Sequence, residues 1–139
     1  MKVRDLMHRG VEIMPPGTPV TKLAKKMRET DIGAIPVGTN GKLVGMVTDR
    51  DITVRAVANG KDIAQMTAQD VMTKGVVCCR DTDKVREVLE VMEEKQIRRV
   101  PVTDDNNQVI GMVSLGDISK SVSDKAAGEV LQAVAAHHT

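Results

Sequence analysis

A chain of 139 residues with 41% hydrophobic and 28% charged residues has the make-up of a soluble globular protein, and its length suits one domain or two half-sized units sharing a core. Its 20 basic and 19 acidic residues are spread along the chain for a net charge of +1, which excludes the basic footprint of a DNA- or RNA-binding protein. Phe, Tyr and Trp are absent, so the core must be aliphatic and methionine-rich, and any slot for a base must work without a ring to stack on.

The opening "MKVRDLMHRG" carries charges where a secretory leader needs an apolar run, and no stretch reaches membrane-spanning length; a cytoplasmic location with no membrane contact is expected. A short lead-in helix is predicted over "VRDLM". After a glycine, "VEIM" reads as a strand. Val20, Leu23, Ala24 and Met27 then recur at i, i+3, i+4 and i+7, the stripe of an amphipathic helix. "AIPV" and "KLVGMV" follow as two strands joined by a turn, and a second helix starts at "DRDITVRAVA". Residues 60–67, "GKDIAQMT", read as a connector.

From residue 68 the series begins again: lead-in "AQDVM", strand "VVCC", a helix on Val85, Val88, Leu89 and Met92, strands "RVPV" and "QVIGMV", and a helix at "LGDISKSV". At an offset of 65 residues, Asp5 coincides with Asp70, Met7 with Met72, Gly10 with Gly75, Met27 with Met92 and Pro36 with Pro101. One residue is inserted in the turn between the paired strands, and from Gly45 with Gly111 the offset is 66. The predicted organisation is a first repeat over 3–59, the connector, a second repeat over 68–123, and a tail over 124–139. Val130, Leu131 and Val134 mark that tail as a last helix. One copy alone buries too little surface to be comfortably stable, so the expected fold is of mixed α/β class (α+β type), two pseudo-symmetric β-α-β-β-α repeats packed sheet to sheet.

The most specific words are "GMVTDRD" and "GMVSLGD", residues 45–51 and 111–117. Each spells a hydroxyl followed three places on by Asp at a helix start. Thr48 with Asp51, and Ser114 with Asp117, fit a capping box, which satisfies the unpaired N–H groups of a first turn. The same groups fit a nucleotide: a helix start and a hydroxyl toward phosphate, and a carboxylate able to accept both hydrogen bonds of a ribose diol. A carboxylate beside phosphate needs a balancing cation, and Arg50, Arg98 and Arg99 are the local candidates. The residues alone leave both readings open.

Two copies of this order, each with G-h-h-[ST]-x-x-D and a preceding apolar-Pro-Val (h, hydrophobic), resemble a tandem pair of CBS (cystathionine β-synthase) domains, a Bateman module, over roughly residues 3 to 123. "DIGAIPV" with "GMVTDRDI", and "RRVPV" with "GMVS", are similar to small stand-alone pairs of the hypoxic response protein type. The resemblance implies a regulatory module that takes AMP, ADP, ATP or another adenosyl ligand in clefts between its repeats, and no cofactor beyond that ligand. Asp51 and Asp117 would hold ribose, with Thr48 and Ser114 near its phosphate end. Met14 and Pro15, Ile35 and Pro36, Cys78 and Cys79, and Val100 and Pro101 would sandwich adenine. Arg99 stands where the family often places a phosphate-reaching base, but the first copy has Ala34 there, and Arg50 is replaced by Gly116 in the second. Unequal sites are expected. The family also implies a homodimer, and a regulated protein partner is compatible with the class.

No nucleophile, base and orienting group recur together, so an enzyme is not expected. Cys78 and Cys79 read as a strand with one thiol in the core and one toward the cleft. His8, His137 and His138 have no metal-ligand spacing, so no metal site is predicted. Asp104 and Asp105 read as turn residues. The alternative to a ligand sensor is a pair with empty clefts that works through its dimer surface or a partner.

Overall fold

The structure, a computed structural model, describes residues 1–121 together with Gly128 and Gln132. The helix expected over the tail, with His137 and His138, lies outside the described residues. Two compact units form, one from Val11–Val76 and the other from Met1–Gly10 with Val77–Thr139. Each unit therefore takes its lead-in segment from the repeat that supplies the rest of the other.

In the Val11–Val76 unit, helix α1 (Val20–Thr30) buries Val20, Leu23 and Met27, three of the four positions in the predicted stripe. It stops at Asp31, whose left-handed backbone (φ 53°) turns its N–H back to the Met27 carbonyl. Strands β2 (Ala34–Thr39) and β3 (Lys42–Thr48) pair antiparallel around a two-residue turn of Asn40 and Gly41. Both turn residues have positive φ, the requirement that makes Asn-Gly the favoured tight hairpin. One face of the hairpin, with Ile35, Val37 and Val47, packs with Val20, Leu23 and Met27 into the core. At the outer edges the sheet shrinks to single bridges, Met14 parallel to Val37 and Thr73 antiparallel to Met46. The strand expected at "VEIM" is therefore only a bridge. Pro15 and Pro16 follow Met14 at once, and without N–H groups they cannot extend a ladder.

The other unit completes the same plan. Its four strands lie in the order β1 (His8–Arg9), β6 (Val109–Ser114), β5 (Arg99–Thr103), β4 (Cys79–Arg80), with β4 parallel to β5 and the other pairs antiparallel. Helix α4 (Val85–Lys95) buries Val85, Val88, Leu89 and Met92 and ends at Gln96 in the left-handed region, the position matched to Asp31. Both hairpins shift register at matched points, between Val37 and Gly38 and between Val102 and Thr103. The first lead-in helix is short and of the 3-10 type, Val3–Asp5, and β1, which sequence did not suggest, follows it. The second lead-in is a single α-turn, α3 (Ala68–Val71).

The glycine that heads each motif explains how these lead-ins fit. A Cβ on Gly111 would approach the His8 carbonyl to 2.6 Å, and one on Gly45 would approach the Thr73 carbonyl to 2.8 Å. Only a residue without a side chain lets the neighbouring segment lie against the strand at that point.

Candidate functional site

Alternation along each hairpin sorts its residues into two faces. Ile35, Val37, Val100 and Val102 turn into the cores. The opposite face presents Ala34 and Pro36 with Met46 and Thr48 across from them in one unit, and Arg99 and Pro101 with Met112 and Ser114 in the other. The proline of each apolar-Pro pair thus shares this face with the hydroxyl of the motif, two places along from the residue directly across from it, although about a dozen residues separate them in sequence.

Each motif ends its strand in a single turn of α-helix, α2 (Asp49–Ile52) after Thr48 and α5 (Leu115–Ser119) after Ser114. Both form full capping boxes. The Asp51 N–H donates to Thr48 Oγ1 at 3.1 Å and the Thr48 N–H to Asp51 Oδ2 at 2.8 Å. The Asp117 N–H donates to Ser114 Oγ at 3.1 Å and the Ser114 N–H to Asp117 Oδ2 at 2.9 Å. Thr67 and Asp70 make a similar box at the start of α3, with a 2.8 Å bond from the Thr67 N–H to Asp70 Oδ2, far from any apolar-Pro strand in sequence. The hydroxyl-x-x-Asp word is therefore a helix-start device first. Behind Ser114 stands a single helical turn, whereas behind Thr48 the helix runs on from α2 through a further turn of π-helix, Thr53–Val57, so less macrodipole is available for phosphate at the second motif than at the first.

What lies beyond the caps differs between the two. Asp51 Oδ1 has Arg55 Nη2 at 3.9 Å, too far for a hydrogen bond. Arg55 is anchored elsewhere, donating from Nη1 to the Val71 carbonyl at 3.0 Å and the Met72 carbonyl at 2.9 Å, and so caps the end of α3. It stands in one turn of π-helix, Thr53–Val57, directly after α2. Asp117 Oδ1 instead meets His8 Nε2 at 2.8 Å, with Asp117 12% and His8 71% exposed. His8 and Arg55 were not candidates from sequence. The signal for His8 was its place opposite Thr73 in the repeat alignment, which becomes meaningful only once β1 is seen to pair with β6.

Among the expected cations, Arg99 is exposed and directly across from Ser114, whereas buried Ala34 lies across from Thr48. Arg50 is exposed on α2, and Arg98 is exposed with its carbonyl accepting from the Leu115 N–H at 2.8 Å. Met14 belongs to one core, and Cys79 and Val100 to the other. Ile35 is fully buried, Pro36 and Pro101 are buried, and Pro15 is exposed. Cys78, Cys79 and Val100 also line a cavity of about 160 Å³ that Asp83 and Glu87 border; ligand pockets usually run to about 300–1,000 Å³. Both cysteines are reduced. Burial, helped by Asp83 and Cys78, pushes the Cys79 thiol up to about 12, and burial raises Cys78 as well. These are protonated thiols at neutral pH rather than nucleophiles. In the other unit, Lys26 donates to Glu12 Oε2 at 2.8 Å and holds that carboxyl below its ordinary range.

Among the described residues no group of three or more His, Cys, Asp and Glu is placed to hold a metal ion, and no helix is long and apolar enough to cross a membrane.

Comparison with known proteins gives this geometry a context. A family model described as "CBS domain" matches residues 3–57 and 68–124. The chain is 36% identical over 130 residues to the CBS domain-containing protein YhcV of Bacillus subtilis, covering 93% of this chain and 91% of that one. It is likewise 36% identical over 132 residues to Hypoxic response protein 1 of Mycobacterium tuberculosis, covering 94% and 92%. A crystal structure of Hypoxic Response Protein I with two coordinated zinc ions superimposes with a TM-score of 0.79, at 36% identity over 88% of this chain and 100% of that one. CBSX2, solved in complex with AMP, shares the fold at a TM-score of 0.74 and 24% identity, covering 86% and 94%. None of these matches indicates a catalytic family.

Proposed function

This chain belongs to the CBS-domain family as a tandem pair, and from that premise we propose that it is a regulatory module that binds an adenine nucleotide (AMP, ADP or ATP) or another adenosyl ligand at its two motifs. The observation that carries the reading is the arrangement repeated in both units. On the hairpin face turned away from the core, the hydroxyl of the motif shares its face with a proline, Pro36 or Pro101, the capping carboxylate follows in the next turn, and only one oxygen of each carboxylate serves the cap. The outer oxygens, Oδ1 of Asp51 and of Asp117, are the acceptors offered to a ribose diol. Pro36 and Met46, and Pro101 and Met112, supply an aliphatic surface for the base in a chain without rings, and Arg50 and Arg99 are the cations nearest the phosphate end. That a protein of the same fold holds AMP is consistent with this chemistry.

The ligand performs no chemistry here. It acts by binding one packing of the protein better than another, which shifts the population toward that state. Association of two chains is part of the same reading, and a hydrodynamic mass checks it. The function itself is tested by thermal shift with AMP, ADP, ATP and S-adenosylmethionine. Ligand at about 100 times its Kd adds roughly 2.7 kcal/mol to the folded state, and a melting point unmoved by all four would leave a structural or partner-binding pair instead. A chain without Trp or Tyr also lets a copurified nucleotide dominate the ultraviolet spectrum.

A further inference from the structure

We infer that His8 guards the second motif, holding the outer oxygen of Asp117 so that an adenosyl ligand reaches that carboxylate only by displacing the imidazole; the inference rests on the ribose role proposed above for the two aspartates. In the resting protein both Asp117 oxygens are engaged, Oδ2 by the Ser114 N–H at 2.9 Å and Oδ1 by His8 Nε2 at 2.8 Å. At the first motif Thr73 occupies the place matched to His8, bridging Met46 as His8 pairs with Met112. Asp51 Oδ1 there has Arg55 only at 3.9 Å, and Arg55 is fixed to the Val71 and Met72 carbonyls. The two carboxylates are about equally exposed, 13% and 12%, but the outer oxygen of Asp117 is taken by a residue of the chain's own lead-in strand while that of Asp51 has no partner within hydrogen-bond reach.

The cover is reversible. His8 is 71% exposed, so its ring can swing into water without opening the core. It is also sensitive to protons, because an imidazolium makes a charge-assisted bond to carboxylate while the neutral ring makes an ordinary one. The charged groups on the elements around it are Asp117 on α5, Lys120 just past that helix, Arg9 on β1 itself, Arg4 and Asp5 on the 3-10 turn, and Arg99 on β5, one strand beyond β6. Asp117 is the one in contact. A protonated His8 strengthens the pair with Asp117 and so lowers ligand affinity at the second motif relative to the first, which no histidine covers.

The experiment is calorimetric titration with AMP on the full chain at about pH 5.5 and about pH 8, the span of histidine titration, in the wild type and in His8→Thr, the residue the other repeat uses. An exposed charge pair is a modest interaction, so His8→Thr should tighten the weaker site by about two- to fivefold at the lower pH and remove the pH dependence that sets it apart from the first site. An unchanged weaker site in His8→Thr overturns the inference. A second measurement needs no ligand: the imidazole signal of His8, followed by NMR, should move in Asp117→Asn and stay put in Asp51→Asn. If it moves in neither, the contact is absent and the inference falls while the nucleotide reading stands. If it moves as expected but no adenosyl compound binds, the nucleotide reading falls and takes the guarding role with it, the contact remaining a structural one.

Discussion

The two motif corners begin from nearly the same words and reach different electrostatic ends. At the first, Asp51 caps its turn and faces a distant arginine already committed to the end of α3; at the second, Asp117 caps its turn and is held by His8. The residue opposite the hydroxyl differs too, an uncharged Ala34 standing across from Thr48 and Arg99 across from Ser114. Duplication keeps the backbone plan because caps, turns and core spacing depend on a few residues. The site chemistry drifts because it depends on single exposed side chains that the fold does not need.

The comparison breaks most easily in the cores. Leu23 and Val88 sit at matched, fully or nearly fully buried positions. Leu23→Ala should cost about 2–5 kcal/mol in denaturant unfolding, and Val88→Ala less, since it removes two methyls rather than three carbons. The motif glycines come next. Gly45→Ala and Gly111→Ala force a Cβ against the Thr73 and His8 carbonyls and should each cost about 1–3 kcal/mol. Gly111→Ala should also free His8 from Asp117, seen as a change in its imidazole signal that Gly45→Ala does not produce.

Loss of a cap is smaller. Thr48→Ala and Ser114→Ala should each destabilise by roughly 0.5–2 kcal/mol, and equal effects in thermal unfolding would show that the two boxes do the same structural work whatever their ligand roles. Smallest is a gain: Asp31→Gly and Gln96→Gly relieve left-handed residues at the matched helix ends and should each add about 1 kcal/mol, measured as a raised melting point in both variants.

Much of this was legible in the sequence. The i, i+3, i+4, i+7 stripes gave α1 and α4 with their buried faces, and Asn40-Gly41 gave the first hairpin turn. The repeat also placed the second copy's elements by analogy with the first. What sequence could not show was the lead-in exchange. "MHRG" has no strand periodicity, and β1 exists because Gly111 leaves room for it on the edge of β6. Since His8 reaches Asp117 only through that pairing, the histidine stayed invisible as a site residue. The reading of "VEIM" as a strand failed because the prolines after Met14 remove the donors a ladder needs. The capping and binding readings of the motif proved not to exclude one another, because a carboxylate has two oxygens and the cap uses one.

The central claim is that two unequal carboxylates take a nucleotide's ribose. It is tested most directly by calorimetric titration of AMP into the wild type, Asp51→Ala and Asp117→Ala near neutral pH. The account predicts binding in the wild type, weakened in both variants and more in Asp51→Ala, whose site has no histidine to displace. No binding of AMP, ADP, ATP or S-adenosylmethionine by the wild type, or equal losses in the two variants, would contradict it.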